Sequence, residues 1–128
     1  MTNPAGAAAI RRLIDDWVDA ICKGDMDRVL RHRAGSIVMF DVPAPIQNKG
    51  LDAYRATWKL FFDHNPPGPE LFRISELTIF AGEDAGFAHG LLTIGGGQAH
   101  CRLTLGLVRE ADDWRVVHEH HSMPLSLQ

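Results

Sequence analysis

Cysteine is scarce in this chain: Cys22 and Cys101 are the only two, they lie far apart, and neither belongs to a CxxC pair. That excludes a disulfide framework and a cysteine-based zinc ribbon, and it fits a reducing, cytoplasmic setting. Long apolar runs are missing too. Stretches such as Ile37–Phe40 fall far short of the roughly 20 residues a membrane-spanning helix needs, so no membrane partner is expected. No basic block exists: 13 Lys and Arg face 16 Asp and Glu, for a net charge of −3, and nucleic acid is not an expected partner. Arg11 and Arg12 follow, rather than precede, the small-residue stretch Ala5–Ala9, so no leader pattern is read there. Repeats, low-complexity tracts and linkers are also lacking, and residues 1–128 are read as one domain. The composition, 45% hydrophobic and 23% charged, supplies enough apolar matter for a core and excludes disorder as the main state.

Helical patterning comes first and strand patterning after it, which reads as α+β. Asn3-Pro4 supplies an N-cap and a proline at the first helical position. Ile10, Leu13, Ile14, Trp17, Val18 and Ile21 then fall on one helical face, and Gly24 offers a left-handed stop. Asp25 can cap a second helix from Met26 to about Arg33. Leu51 to His64 reads as a third, with Leu51, Tyr54, Trp58, Phe61 and Phe62 on its apolar face, broken by the proline-rich Asn65–Pro69.

Ser36–Asp41 is a strand candidate ended by Pro43 and Pro45, with Ile46-Gln47 as a short returning strand. The remainder reads as an antiparallel meander of about Glu70–Phe80, Phe87–Ile94, Gln98–Glu110 and Trp114–Ser122, bent by bulges. Alternation puts His118 and His120 on one face with Trp114 and Val116, and Glu119 and His121 on the other. It likewise groups Phe87, His89, Leu91 and Thr93, and groups His100, Arg102 and Thr104.

Six segments together resemble the ketosteroid isomerase / nuclear transport factor 2-like superfamily and, within it, the SnoaL-like proteins. They are Trp17–Asp25, Phe40–Pro43, Asn48–Tyr54, Phe87–Gly90, Arg102–Leu107 with Trp114, and Val117–Ser122. The resemblance implies a cone in which three N-terminal helices pack on a curved, mainly antiparallel sheet around an apolar pocket. It places Asp41 where the isomerases keep their general base, and it turns the His118/His120 face toward the pocket. A carboxylate there would be partly desolvated, which raises its pKa. Two departures stand out. Trp17 takes the place of the isomerase's donor tyrosine, and Gln98–Val108 holds no acidic residue to act as the second donor.

The expected site is therefore catalytic Asp41, His118 and His120, with Trp17, Tyr54, Trp58, Phe62, His89, Arg102 and Thr104 lining the ligand. That polar patch in an apolar cone suits a small hydrophobic ligand bearing a carbonyl or carboxylate, since Arg102 offers a planar fork. No cofactor is expected. Zinc on His118 and His120 with His89 or Asp41 is the sharper alternative, but the spacing is not the helical HExxH pattern. Gly95-Gly96-Gly97 lacks the lysine and helix of a phosphate loop and reads as a hairpin. Leu103, Leu105 and Leu107 would occupy the helix-free sheet face, which implies a homodimer through it. Two functions stay open: an isomerase- or cyclase-type proton-transfer enzyme with Asp41 as base, and a non-catalytic ligand-binding or assembly module.

Overall fold

A computed structural model describes residues 2–127. The Asn3 side chain accepts from Ala5 and Gly6 N–H and opens α1, Pro4–Lys23, and Gly24 closes it at φ 67°. Asp25 caps the short α2, Met26–Leu30. This helix ends earlier than its sequence suggests, because Arg31 is extended and His32 takes φ 63°. The reversal feeds directly into β1, Arg33–Phe40, so Arg33 starts a strand instead of ending a helix. The short returning strand is β2, Asn48–Lys49, rather than Ile46-Gln47, and α3 covers Leu51–His64. Then follow β3 (Phe72–Ala81), β4 (Ala85–Ile94), β5 (Cys101–Glu110) and β6 (Asp113–Ser122).

The chain is α+β, with its helices on a curved, open sheet ordered β2-β1-β6-β5-β4-β3. Every neighbouring pair is antiparallel except β1 with β6, which is parallel. Helix α1 packs along β3, and α3 along β1 and β2. The enclosed core takes Ile10, Ile14, Trp17 and Ile21 from α1 and Tyr54 and Trp58 from α3, against Met39, Phe72, Leu92 and Val116 of the sheet. A bulge in β3 beside Glu76 bends that strand. Gly90 faces the bend, where a Cβ would sit 2.9 Å from Ile74 Cγ2 and 3.1 Å from the Ser75 carbonyl.

Two face assignments made from alternation are corrected. Leu103, Leu105 and Leu107 are buried at 1%, 0% and 2% exposure, so they fill the core and do not form an outer patch. Arg102 and Thr104 consequently face outward, as does His89, which registers with Thr104 on β4. The alternative would have buried an arginine in place of leucines, which costs far more than it gains. The second correction concerns β6. Val116 registers with Leu107 but His118 with Gly106, so Val117 is an extra residue in a bulge. One extra residue inverts the phase of everything after it. Glu119 and His121 therefore continue the inward face of Trp114 and Val116, and His118 and His120 lie outside.

Candidate active site

A cavity of about 390 Å³ opens between α3, the end of β1, the Val42–Ala44 segment and Met123. Its walls are mostly apolar, with Met39, Trp58, Leu60, Phe61, Phe72 and Ile94 prominent. Polar groups reach it at Asp41, Asn48, Thr57, His64, Asn65, His100, Cys101 and His121. Burial pushes the Cys101 thiol up, and the nearby Asp41 charge adds to that; it is therefore a neutral wall residue at pH 7.

Asp41 sits where β1 ends before Pro43, and its side chain is 16% exposed. Oδ1 accepts the Val42 N–H at 2.8 Å and lies 3.6 Å from His121 Nδ1. Oδ2 has no hydrogen-bond partner among the described residues. Burial alone would raise this carboxyl, as the sequence suggests. His121 and the Val42 N–H outweigh that burial and hold Asp41 below its ordinary value, so the expected upward shift is corrected.

His121 is the link to a second, deeper set of charges. Its Nε2 lies 2.9 Å from Glu119 Oε2, an ion-pair distance without full hydrogen-bond alignment. Glu119 Oε1 accepts the Tyr54 hydroxyl at 2.8 Å and lies 3.5 Å from an Arg33 guanidinium nitrogen. Arg33 Nε donates to the Tyr54 oxygen at 3.0 Å, and its guanidinium stacks 4.5 Å over the Trp17 ring. The Arg33 and Glu119 side chains are both fully buried. Burial pushes His121 down, but Asp41 and Glu119 more than offset it and raise its pKa to about 9. The imidazole is thus a cation at neutral pH, between two carboxylates.

Of the residues expected at the site, Asp41 and Trp58 line the cavity. Tyr54 and Trp17 are core residues that hold Arg33 and Glu119, and Phe62 packs beside Trp58, 6.0 Å between ring centroids, outside the lining. His118 and His120 instead flank Phe40 on the outer face, at 4.7 and 5.3 Å, with His118 Nδ1 2.7 Å from the Val38 carbonyl. His89, Arg102 and Thr104 are also outside. Among the described residues, no three His, Cys, Asp or Glu side chains gather as a ligand set. The residues missed by alternation are His121, Glu119, Arg33 and Asn48. One signal was available: Gly106, a glycine in mid-strand, marks a bulge, and it registers with His118 at the phase change.

The SnoaL-like domain family matches over residues 10–126. An NTF2-like protein of unknown function from Pseudomonas putida KT2440 is 33% identical, with a TM-score of 0.91, covering 100% of this chain and 93% of its own. A provisionally assigned ketosteroid isomerase from Parabacteroides distasonis ATCC 8503 is 17% identical with a TM-score of 0.72, covering 93% of this chain and 88% of its own. A provisionally assigned dehydratase of the NTF2-like family from Streptomyces avermitilis is 12% identical with a TM-score of 0.78, covering 98% and 100%. These last two likenesses carry the fold alone. Among curated proteins, none matches this sequence.

Proposed function

Because this chain belongs to the SnoaL-like domain family, a fold that hosts many chemistries, we propose a function from the cavity: proton transfer on a small apolar carbonyl compound, with Asp41 as general base. The observation that carries the reading is an ionised carboxylate with one free oxygen at the wall of an apolar cavity of about 390 Å³. Asp41 Oδ2 would take a proton from the carbon beside the carbonyl and return it to another carbon of the resulting enolate. A carboxylate of low basicity needs the carbonyl polarised. Asn48 is placed for that: it is 8% exposed, it lines the cavity, and its amide makes no side-chain hydrogen bond among the described residues. Trp58 contributes part of the apolar wall beside it. His121 keeps Asp41 charged and does not itself touch the reacting carbon.

Exchange of α-deuterium from a panel of small cyclic and aromatic ketones into water, followed by NMR, tests this without knowledge of the product. Wild-type protein should accelerate exchange of at least one ketone, and Asp41→Asn should lower that rate by about 10²-fold or more. Equal rates in the two proteins would remove Asp41 from the role. A second reading, a binding module without turnover, is favoured by the engagement of Asp41 Oδ1 with both Val42 N–H and His121. Saturable ketone binding with no exchange in any case would select it. In either reading the partner is a small ligand, the setting is cytoplasmic, and the outer sheet face joins two copies of the chain.

A further inference from the structure

The charges behind Asp41 form one continuous line from the cavity wall into the core. Asp41 meets His121 at 3.6 Å, His121 meets Glu119 at 2.9 Å, and Glu119 meets Arg33 at 3.5 Å. Taken together they sum to zero, two carboxylates against an imidazolium and a guanidinium. Glu119 is the pivot, because it alone contacts both cations at full burial and is anchored by the Tyr54 hydroxyl at 2.8 Å. Such a line is costly in an interior that could have been apolar. An Arg–Glu pair would close on itself equally well without a histidine, yet here it is extended by one link to the cavity.

We infer that Glu119, anchored by Tyr54 and Arg33, is a positioning residue that holds His121 protonated against Asp41, so that the buried network supplies the cavity's base with a cationic partner through neutral pH. Glu119 touches no ligand and acts only through His121. Its hold on His121 should exceed that of Asp41, because Glu119 is nearer and wholly unexposed while Asp41 is 16% exposed to screening. The other groups facing His121 do not compete: Leu103 registers opposite it on β5, Trp58 from α3 packs edge-on at 6.1 Å, and Cys101 stays neutral. The inference rests on the reading of Asp41 as base only for its effect on rate.

Full-length protein labelled with ¹³C at histidine and titrated by NMR tests it. In the wild type the His121 signal should stay that of an imidazolium past neutrality, with a midpoint near 9. In Glu119→Gln, which keeps the shape, the midpoint should fall by about one to three pH units. In Asp41→Asn the fall should be smaller. Any inflection that loss of the His121 proton imposes on the α-deuterium exchange profile should move down with that midpoint in Glu119→Gln. A wild-type midpoint at the ordinary 6.5 overturns the inference. So does a folded Glu119→Gln variant with an unmoved midpoint, or an Asp41→Asn fall as large as that of Glu119→Gln. Should Glu119→Gln not fold, Asp41→Asn decides: a midpoint still about one unit or more above 6.5 supports the inference, and an ordinary one overturns it. Wild-type protein that exchanges no ketone yet titrates as stated would sink the catalytic reading and leave the role of Glu119 standing.

Discussion

A single imidazole ties the stability of this protein to alkaline pH. The His121 pKa is raised from 6.5 to about 9 on folding. Below pH 6.5 both folded and unfolded chains carry the proton, and the full benefit of the pairing is present. Between pH 6.5 and about 9 the folded chain holds a proton that the unfolded chain has released, so stability falls as pH rises through that window. Thermal melts should show the midpoint dropping by roughly 5 °C or more across it. In His121→Gln that slope should vanish, and a variant with an unchanged slope would refute the pairing. Asp41 acts at the other end: its lowered pKa gives stability present above 3.8 and lost as pH falls below that value. Asp41 and His121 meet from far apart in sequence, which is why Asp41 was legible as a pocket carboxylate while its lowered basicity was not.

Strand faces were legible only where alternation ran unbroken. Helices α1 and α3 could be read almost to the residue, since features such as the Asn3 cap, the Gly24 stop and the apolar stripe of α1 are local signals, whereas the end of α2 was overrun. The resemblance put Asp41 at the pocket wall and the apolar face of α3 put Trp58 there, and both line the cavity. The histidine assignment failed because the extra residue at Val117 is a pairing property of β5 and β6 together, invisible in β6 alone. Arg33 was missed because its burial depends on Glu119, which no local pattern announces. The corrected faces make a sharp prediction for β5. Leu105→Ala, at 0% exposure, should cost about 2–5 kcal/mol in urea unfolding. Thr104→Ala, one residue away on the outer face, should stay within about 0.5 kcal/mol. Equal costs would mean that the two faces are wrongly assigned.

The whole molecule has one sheet face covered by helices and one without them. On the uncovered face Phe80 and Phe87 stack with their ring centroids 4.9 Å apart, yet they remain 45% and 47% exposed. A second copy of the chain laid on that face would bury them. Light scattering at micromolar concentration should therefore give a dimer mass, and Phe87→Glu should give a folded monomer, since a charge would be forced into the contact. A wild-type monomer would refute this assembly; Leu105→Glu, by contrast, should unfold the protein outright. Among the described residues no helix is long and apolar enough to cross a membrane. The parallel pairing of β1 with β6 also has a consequence in time. Arg33 leaves the ribosome 86 residues before the glutamate it pairs with. Until β6 docks, that guanidinium must stay in water, because a buried unpaired charge is prohibitively costly. Burial of the first strand's arginine therefore waits for the last strand to dock.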